Sequence, residues 1–471
     1  MTGSRTNSRL AGDLLIELRR DGGAPLHRQV ETAIRAGIRS GRLPVGSSLP
    51  PTRTIAADLG VSRGVIVEAY QQLTAEGYLT SRAGGYTQVA AGPEPAAAPV
   101  PPAPREPPRI DFGYGRADVA GFPRAAWLRS IRRVLTEAPN ERFGYLGARG
   151  VPELHEALAG YLNRVRGTSA EPGDIVICNG YAQGVRLLIQ VLAGSGAKRI
   201  AVEDPSADDD ARPIAAAAGL DVVGVPVDRG GIRVDALDRI EADALVLTPS
   251  HQWPTGGVLP AESRTAVLRW ASRRGALVIE DDYDAEYRYD RAPIGAIQGL
   301  APDRVAYAGT ASKTLAPGLR LGWLVVPRHL VDAVAEAKIA ADRGSPVIDQ
   351  LTFADFLSRG EFDRHLRRMR PVYRRRRDAL ITALRERLPE LVPEGVAAGL
   401  HLVAWLPPGL DESAVVEAAG RRGLGVYGVG PYRMSAGGRG GLIFGYATLS
   451  ERTIAEGIGV LAAVVEEVRS R

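Results

Sequence analysis

Gly309-Thr-Ala-Ser-Lys313-Thr-Leu-Ala-Pro-Gly-Leu-Arg320-Leu-Gly-Trp323 is the stretch on which the reading of this chain turns. A lysine amine can form a Schiff base with an aldehyde, and Thr310 and Ser312 set hydroxyls beside it for a phosphate. Arg320, seven residues on, carries a planar fork of donors that matches phosphate oxygens. A Ser-Lys pair alone means little, because most lysines are solvated surface groups. Here the pair follows the predicted strand Val305-Ala-Tyr-Ala and leads into the apolar Leu319-Arg-Leu-Gly-Trp-Leu-Val-Val. The whole string predicts an anchor for a phosphorylated aldehyde at a strand end.

Around it, from Ile110 onward, helical patterns alternate with short β-branched runs such as Asp174-Ile-Val-Ile-Cys, Ala244-Leu-Val-Leu and Ala276-Leu-Val-Ile. This alternation predicts an α/β domain with a mostly parallel sheet, whose ligands bind at the carboxyl ends of the strands. Asn179-Gly-Tyr-Ala-Gln-Gly184 follows one strand and opens a helix, so its N–H groups can receive a phosphate. Asp281-Asp282-Tyr283 ends another strand. A carboxylate there can keep a ring nitrogen protonated, a charge-assisted bond worth roughly 1.5–3 kcal/mol, and Tyr283 can donate its phenol to a ring oxygen. Taken singly, paired acids at a strand end also serve as helix caps or solvated loops.

All three pieces occur in the order and approximate spacing of fold-type I aminotransferases, which this part of the chain resembles. The resemblance implies pyridoxal 5'-phosphate, with Lys313 as the Schiff-base lysine and the one candidate for catalysis. It also implies Asp281, rather than Asp282, as the pyridine partner and Tyr283 at the 3-oxygen. Thr310, Ser312, Arg320, Tyr181 and Ala182 would form the phosphate cup. Phe143-Gly-Tyr145-Leu-Gly-Ala-Arg-Gly150 looks like the segment whose tyrosine reaches a neighbouring subunit's phosphate, which implies a head-to-tail homodimer.

The first ninety residues hold eleven arginines, no lysine and seven acids, giving +4 of the chain's net +5. That asymmetry points to nucleic acid. Leu26, Val30, Ile34 and Ile38 mark one face of an amphipathic helix. Thr52 is expected to cap a short helix, Arg53 to Leu59, closed by Gly60, and Ser62 to cap a third helix to about Ala75. Gly77 to Val89 reads as a hairpin with a glycine tip. Three helices and a basic hairpin make a winged helix-turn-helix, whose third helix, about 14 residues or roughly 21 Å long, fits the major groove. Arg63 is the candidate for reading guanine, with Arg53, Ser62 and Gly64 at phosphates. A small helical docking domain with solvated arginines is the blander reading.

Gly41-Arg-Leu-x-x-Gly46-Ser-x-Leu49-Pro-x-x-Arg53, Ala57-Asp-Leu-Gly-Val-Ser-Arg63 and Ala69-Tyr-x-x-Leu73-x-x-Glu76-Gly77-Tyr-Leu resemble the GntR-type winged helix almost throughout. In that family the positions of Arg53, Ser62, Arg63 and the wing glycine Gly84 lie at double-stranded DNA, and the wing arginine Arg82 stands beside them. Eight prolines between Gly92 and Pro108 form a semi-rigid polyproline spacer that can reach on the order of 50 Å. The expected organisation is a winged helix-turn-helix (α+β) over 1–90, a linker over 91–109, and an α/β fold-type I transferase-like domain over 110–471. Its large subdomain runs to about 340 and its small one starts near 380. With Thr248-Pro-Ser-His-Gln-Trp-Pro-Thr-Gly256 and Glu280-Asp-Asp-Tyr-Asp-Ala-Glu-Tyr, the two-domain chain looks like the MocR group of GntR regulators. The resemblance implies a bacterial transcriptional regulator of promoter DNA, with pyridoxal phosphate or an amino compound as effector.

Three positions depart from the aminotransferase pattern. Trp253 replaces the asparagine before Pro-Thr-Gly, with His251 nearby. Ala207 stands where an aromatic would stack on the cofactor ring. Ile443 replaces the arginine that holds a substrate carboxylate, with Arg433 and Arg439 as substitutes to consider. Turnover needs that carboxylate held so that the breaking bond aligns with the ring, so signalling is expected over transamination. A working aminotransferase and a degenerate dimerisation scaffold stand as alternatives. Arg364-His-Leu-Arg-Arg-Met-Arg-Pro-Val-Tyr-Arg-Arg-Arg-Arg-Asp378 predicts a long helix with a solvated cationic face, or else a second surface for DNA phosphates. Six histidines without ligand spacing predict no metal site. A lone Cys178, no secretory h-region and no membrane-length apolar run predict a cytoplasmic protein.

Overall fold

The computed structural model describes residues 6–10, 14–21, 23–81, 87–90, 107–145, 147–207, 211–289, 294–395 and 397–470. The chain divides into two compact units, Met1–Arg105 and Glu106–Arg471.

In the first unit β1 (Thr6–Leu10) and β2 (Leu14–Leu18) form an antiparallel hairpin that the sequence patterns did not predict. α1 (Leu26–Arg39) buries Val30, Ile34 and Ile38, the apolar stripe expected of it. After β3 (Ser48–Leu49) come α2 (Thr52–Leu59) and α3 (Arg63–Ala75), then β4 (Leu79–Ser81) and β5 (Thr87–Val89). β4 and β3 both pair antiparallel with β5. Ile34, Ile55, Ile66 and Leu73, all at 0% exposure, form the centre of this small core.

Of the two capping expectations, that for Thr52 fails and that for Ser62 holds in position only. Thr52 is the first residue inside α2, with Pro51 (φ −55°, ψ 145°) at the cap position, and Ser62 stands at the N-cap of α3 but its side chain makes no bond to the helix.

 The Pro51 carbonyl accepts the first helical N–H groups, from Thr54 at 2.9 Å and Ile55 at 3.2 Å, which puts Pro51 rather than Thr52 at the cap position. The end of α2 is closed as expected by Gly60 at φ 60°. Arg20 adds a cap invisible in the sequence, donating from Nη2 to the Gly60 carbonyl at 2.6 Å.

The second unit opens with β6 (Ile110–Asp111), α4 (Arg124–Glu137) and α5 (Pro152–Arg166). Strands and helices then alternate: β7 (Ile175–Cys178), α6 (Tyr181–Gly194), β8 (Arg199–Asp204), α7 (Ala211–Ala217), β9 (Asp221–Asp228), β10 (Gly231–Ile232), α8 (Val234–Leu237) and β11 (Ala244–Leu247). They continue through α9 (Ala261–Arg274), β12 (Leu277–Asp282), β13 (Val305–Thr310), β14 (Gly322–Val325), α10 (Val331–Asp342) and α11 (Val347–Ser358). The eight-stranded sheet runs β10-β9-β8-β11-β12-β13-β14-β7. β9, β8, β11, β12 and β13 are mutually parallel, and β14 is antiparallel to both its neighbours. Successive residues of β12 serve opposite cores, Leu277 and Ile279 on one face and Val278 on the other. Burial on both faces explains why these strands read as unbroken apolar runs.

The 27-residue α12 (Glu361–Arg387) leads to β15 (Val392–Glu394), β16 (His401–Trp405), α13 (Glu412–Arg421), β17 (Leu424–Gly425), β18 (Tyr427–Gly428), β19 (Gly441–Gly445) and α14 (Glu451–Arg469). Four of these strands form an antiparallel sheet, β15-β16-β19-β18, while β17 pairs with β6 from the start of the unit. The α12 arginines are laced to acids: Arg376 to Asp118 at 2.9 Å, Arg375 to Glu451 at 3.6 Å and Arg374 to Asp378 at 3.9 Å. Among the described residues no helix is long and apolar enough to cross a membrane.

Arg166, the last residue of α5, is fully buried and donates from Nε to Asp282 Oδ2 at 2.7 Å, from Nη1 to the Ile294 carbonyl at 2.5 Å and from Nη2 to Ser250 Oγ at 2.9 Å. Replacing Arg166 by leucine leaves a buried carboxylate without its cation and is expected to cost about 3–5 kcal/mol. Chemical denaturation should show the double replacement with Asp282→Leu recovering much of that loss.

Candidate functional site

A cavity of about 420 Å³ lies beyond the carboxyl ends of β8, β11, β12 and β13. Lys313 enters it from the turn after β13 and donates from Nζ to the Gly115 carbonyl at 2.6 Å. Beside it Ser312 N–H donates to Thr310 Oγ1 at 3.1 Å, and the two hydroxyls lie 3.0 Å apart, both lining the cavity. Arg320, at a left-handed φ of 51°, donates to the Asn179 carbonyl at 2.5 Å. Gly180 has φ 90°, and a Cβ there would sit 2.8 Å from the Arg320 guanidinium. A Cβ on Gly322 would meet the Gly180 backbone at 2.8 Å. The two glycines thus let the arginine lie against the start of α6, which opens at Tyr181 without a side-chain cap. Helix N–H groups, guanidinium and hydroxyls converge on one end of the cavity, with Tyr181 and Ala182 in its lining.

Strand alternation separates the two aspartates. Asp281 lines the cavity, whereas Asp282 turns away to Arg166 and to the Tyr307 hydroxyl, 2.7 Å from each. The Tyr283 hydroxyl donates to the His251 carbonyl at 2.9 Å and lies 3.1 Å from His251 Nδ1. A bond from this phenol to a ring oxygen therefore requires the hydroxyl to redirect. Tyr145 is 98% exposed and takes no part in the cavity of its own chain. In the first unit Arg53, Ser62, Arg63 and Gly64 are all exposed at α2 and the start of α3, and Arg63 Nε reaches Thr52 Oγ1 at 3.4 Å. Arg82 and Gly84 lie outside the described residues.

Residues that sequence patterns did not bring together form the other end. His251, Asp284 and His401 are buried, with one potential ligand atom from each within 4.8 Å of the others. Linear histidine spacing could not show such a group. His251 Nδ1 lies 3.1 Å from each Asp284 oxygen, and His401 Nε2 lies 3.1 Å from the Pro254 carbonyl. Burial, with His251 alongside, lowers His401 to about 3, so its imidazole is neutral. Gly399 is forced here, since a Cβ would lie 2.1 Å from His251 Cε1. Trp253 packs its ring on Tyr114 and His401, each at 4.6 Å between centroids. Ala207 lines the cavity, as does Tyr432. Arg433 and Arg439 do not: they line a separate groove, where Arg433 donates to the Arg439 carbonyl at 2.8 Å. The segment carrying Tyr432 is fastened across the cavity edge. Asp204 accepts from Met434 N–H at 2.8 Å, Ser435 N–H at 3.0 Å and the Ser435 hydroxyl at 2.7 Å.

The geometry defines a class: a winged helix-turn-helix joined to an aminotransferase-like α/β unit. Residues 26–89 match the family "Bacterial regulatory proteins, gntR family", and residues 110–414 match "Aminotransferase class I and II". The chain belongs to the MocR group of GntR-family transcriptional regulators. It is 34% identical to the probable rhizopine catabolism regulatory protein MocR of Rhizobium meliloti, covering 95% of each chain. It is 32% identical to the pyridoxine biosynthesis transcriptional regulator PdxR of Corynebacterium glutamicum, over 94% of this chain and 97% of that one. An archaeal alanine:glyoxylate aminotransferase superposes with a TM-score of 0.69 at 29% identity, over 76% of this chain and 91% of that one. The first unit is thus a DNA-binding domain and the second has the fold of pyridoxal-phosphate aminotransferases.

Burial pushes Glu203, in the cavity lining, and Glu280, behind it, up to about 7 from an ordinary 4.5. Bonds from Thr248 to Glu203 and from the Ile297 and Gln298 N–H groups to Glu280 offset only part of this. Between those values the folded chain holds more protons than the unfolded one, so the contribution is full at low pH and lost as pH rises. Denaturation across about pH 4.5 to 7 should show this component of stability falling with pH, and Glu203→Gln should flatten the slope.

Proposed function

We propose that this regulator binds pyridoxal phosphate through Lys313, as ligand or effector site, and that occupancy controls its hold on promoter DNA. The observation that carries the reading is the convergence of Lys313, Asp281 and the Gly180–Arg320 cradle on one cavity. These residues fit the cofactor: an amine for the aldehyde, a carboxylate for the pyridine nitrogen, and helix N–H groups, guanidinium and hydroxyls for the phosphate. When bound, the cofactor supplies an aldehyde that takes up amines and a ring that accepts electrons. Lys313 holds it, Thr310, Ser312, Tyr181, Ala182 and Arg320 position its phosphate, and Asp281 keeps the ring nitrogen protonated. Tyr283, whose hydroxyl donates to the His251 carbonyl, would have to turn from it to serve a ring oxygen.

Signalling fits the site better than turnover, because Ile443 is buried at the carboxylate-arginine position and Arg433 and Arg439 serve another groove. The name of PdxR, a pyridoxine biosynthesis regulator, accords with the cofactor itself as effector. The exposure of Tyr145 supports a head-to-tail homodimer in which that tyrosine serves the partner's site.

Adding pyridoxal phosphate should produce a visible absorbance band that Lys313→Ala abolishes, and Gly180→Ala should weaken affinity about tenfold by displacing the guanidinium. No band in the parent protein would reject the reading. Amino-donor-dependent turnover of an oxo acid would favour a working aminotransferase instead. In a shift assay on the protein's own upstream DNA, the cofactor should change the affinity. Arg63→Ala should lose about 1–3 kcal/mol of sequence discrimination, whereas Arg53→Ala should weaken all sequences alike and reduce the salt slope by about one.

A further inference from the structure

The cavity has two chemically different ends, and the second one has no ligand in the reading above. Its wall is aromatic. Tyr114 lies 4.6 Å from Trp253 and 6.0 Å from Tyr432 between ring centroids, and the three rings line the space beyond Lys313. Behind them Ile443, on β19, packs in the same apolar cluster with Val403 and Val429. The two arginines nearest in sequence, Arg433 and Arg439, open onto the other groove.

Among the described residues, the charged groups lining the cavity are Glu203, Asp281, Asp284, Lys313 and Arg320. Arg320 is spent at the phosphate end, bonded to the Asn179 carbonyl, and Asp281 serves the ring nitrogen. His401 is held neutral by burial. What remains in the lining of the aromatic end, among the described residues, is Asp284, a Glu203 that burial pushes up to about 7, three rings and no guanidinium; Arg212, beside it, donates to the Tyr432 carbonyl at 3.0 Å. A carboxylate entering there would shed its water with no cation lining the space to replace it, since Arg212 is bonded to the Tyr432 carbonyl, and would face Asp284, already bonded to His251 and to the Leu400 N–H. An amine with an apolar body meets the opposite situation: its body packs on ring faces, and its ammonium form approaches Asp284.

We infer that the site loaded with pyridoxal phosphate takes, as a second ligand, a primary amine without an α-carboxylate, carrying an apolar or ring-bearing body that packs on Tyr114, Trp253 and Tyr432. The inference rests on pyridoxal phosphate binding at Lys313 and names the class of amine that the loaded protein takes.

The test titrates the full-length protein, loaded with pyridoxal phosphate, with pairs of ligands that differ only by the carboxylate: phenethylamine against phenylalanine, and isoamylamine against leucine. The change in visible absorbance and the quenching of tryptophan fluorescence are both followed. The amines are expected to half-saturate at concentrations lower by about tenfold or more. Equal or tighter response to the amino acids overturns the inference while leaving the cofactor reading intact. Failure of the parent protein to develop a band with pyridoxal phosphate overturns both. Trp253→Ala, checked for an unchanged cofactor band, should raise the half-saturating phenethylamine concentration by about tenfold; an unchanged value rejects the aromatic wall as the recognising surface.

Discussion

Much of the second unit depends on one buried guanidinium. Arg166 closes α5 and gathers three segments that are remote in sequence: the end of β12 through Asp282, the turn before His251 through Ser250, and the chain at Ile294. Removing a cation from water is costly unless geometry and hydrogen bonding compensate it, and three partners within 2.9 Å do so here. Because side chains alternate along β12, fixing Asp282 on one side directs Asp281 to the other. The residue facing the cavity is thus positioned by a pair that never touches it.

The same division of labour recurs at the phosphate end. Gly180 and Gly322 contribute no side chain, only room, and Arg320 accepts a left-handed backbone to use it. Such a backbone is unfavourable for a non-glycine residue and persists only where surrounding contacts hold it. Here the bond to the Asn179 carbonyl ties the arginine to the residue just before the helix start.

Local patterns were legible in proportion to how local their causes are. The stripe Val30, Ile34, Ile38 and the strands Ile175–Cys178 and Ala244–Leu247 follow from periodicity and burial. The order of lysine, aspartate and helix-opening glycine marks the fold in the sequence itself, and the family matches agree with it. Capping was harder to read, because whether Thr52 or Ser62 bonds the backbone depends on a proline entry and on side-chain geometry. Arg20 at the end of α2, and His251 beside Asp284 and His401, were invisible because nothing near them in sequence foretells the partner. The aromatic wall was hidden for the same reason: Tyr114, Trp253 and Tyr432 come from three distant stretches.

The fastening of residues 434 and 435 onto Asp204 sets the mechanical character of the cavity mouth. Three donors share one carboxylate, so parting the two segments forfeits all three bonds together rather than one after another. Widening the mouth at this point therefore has to break all three before either segment can move away from the other.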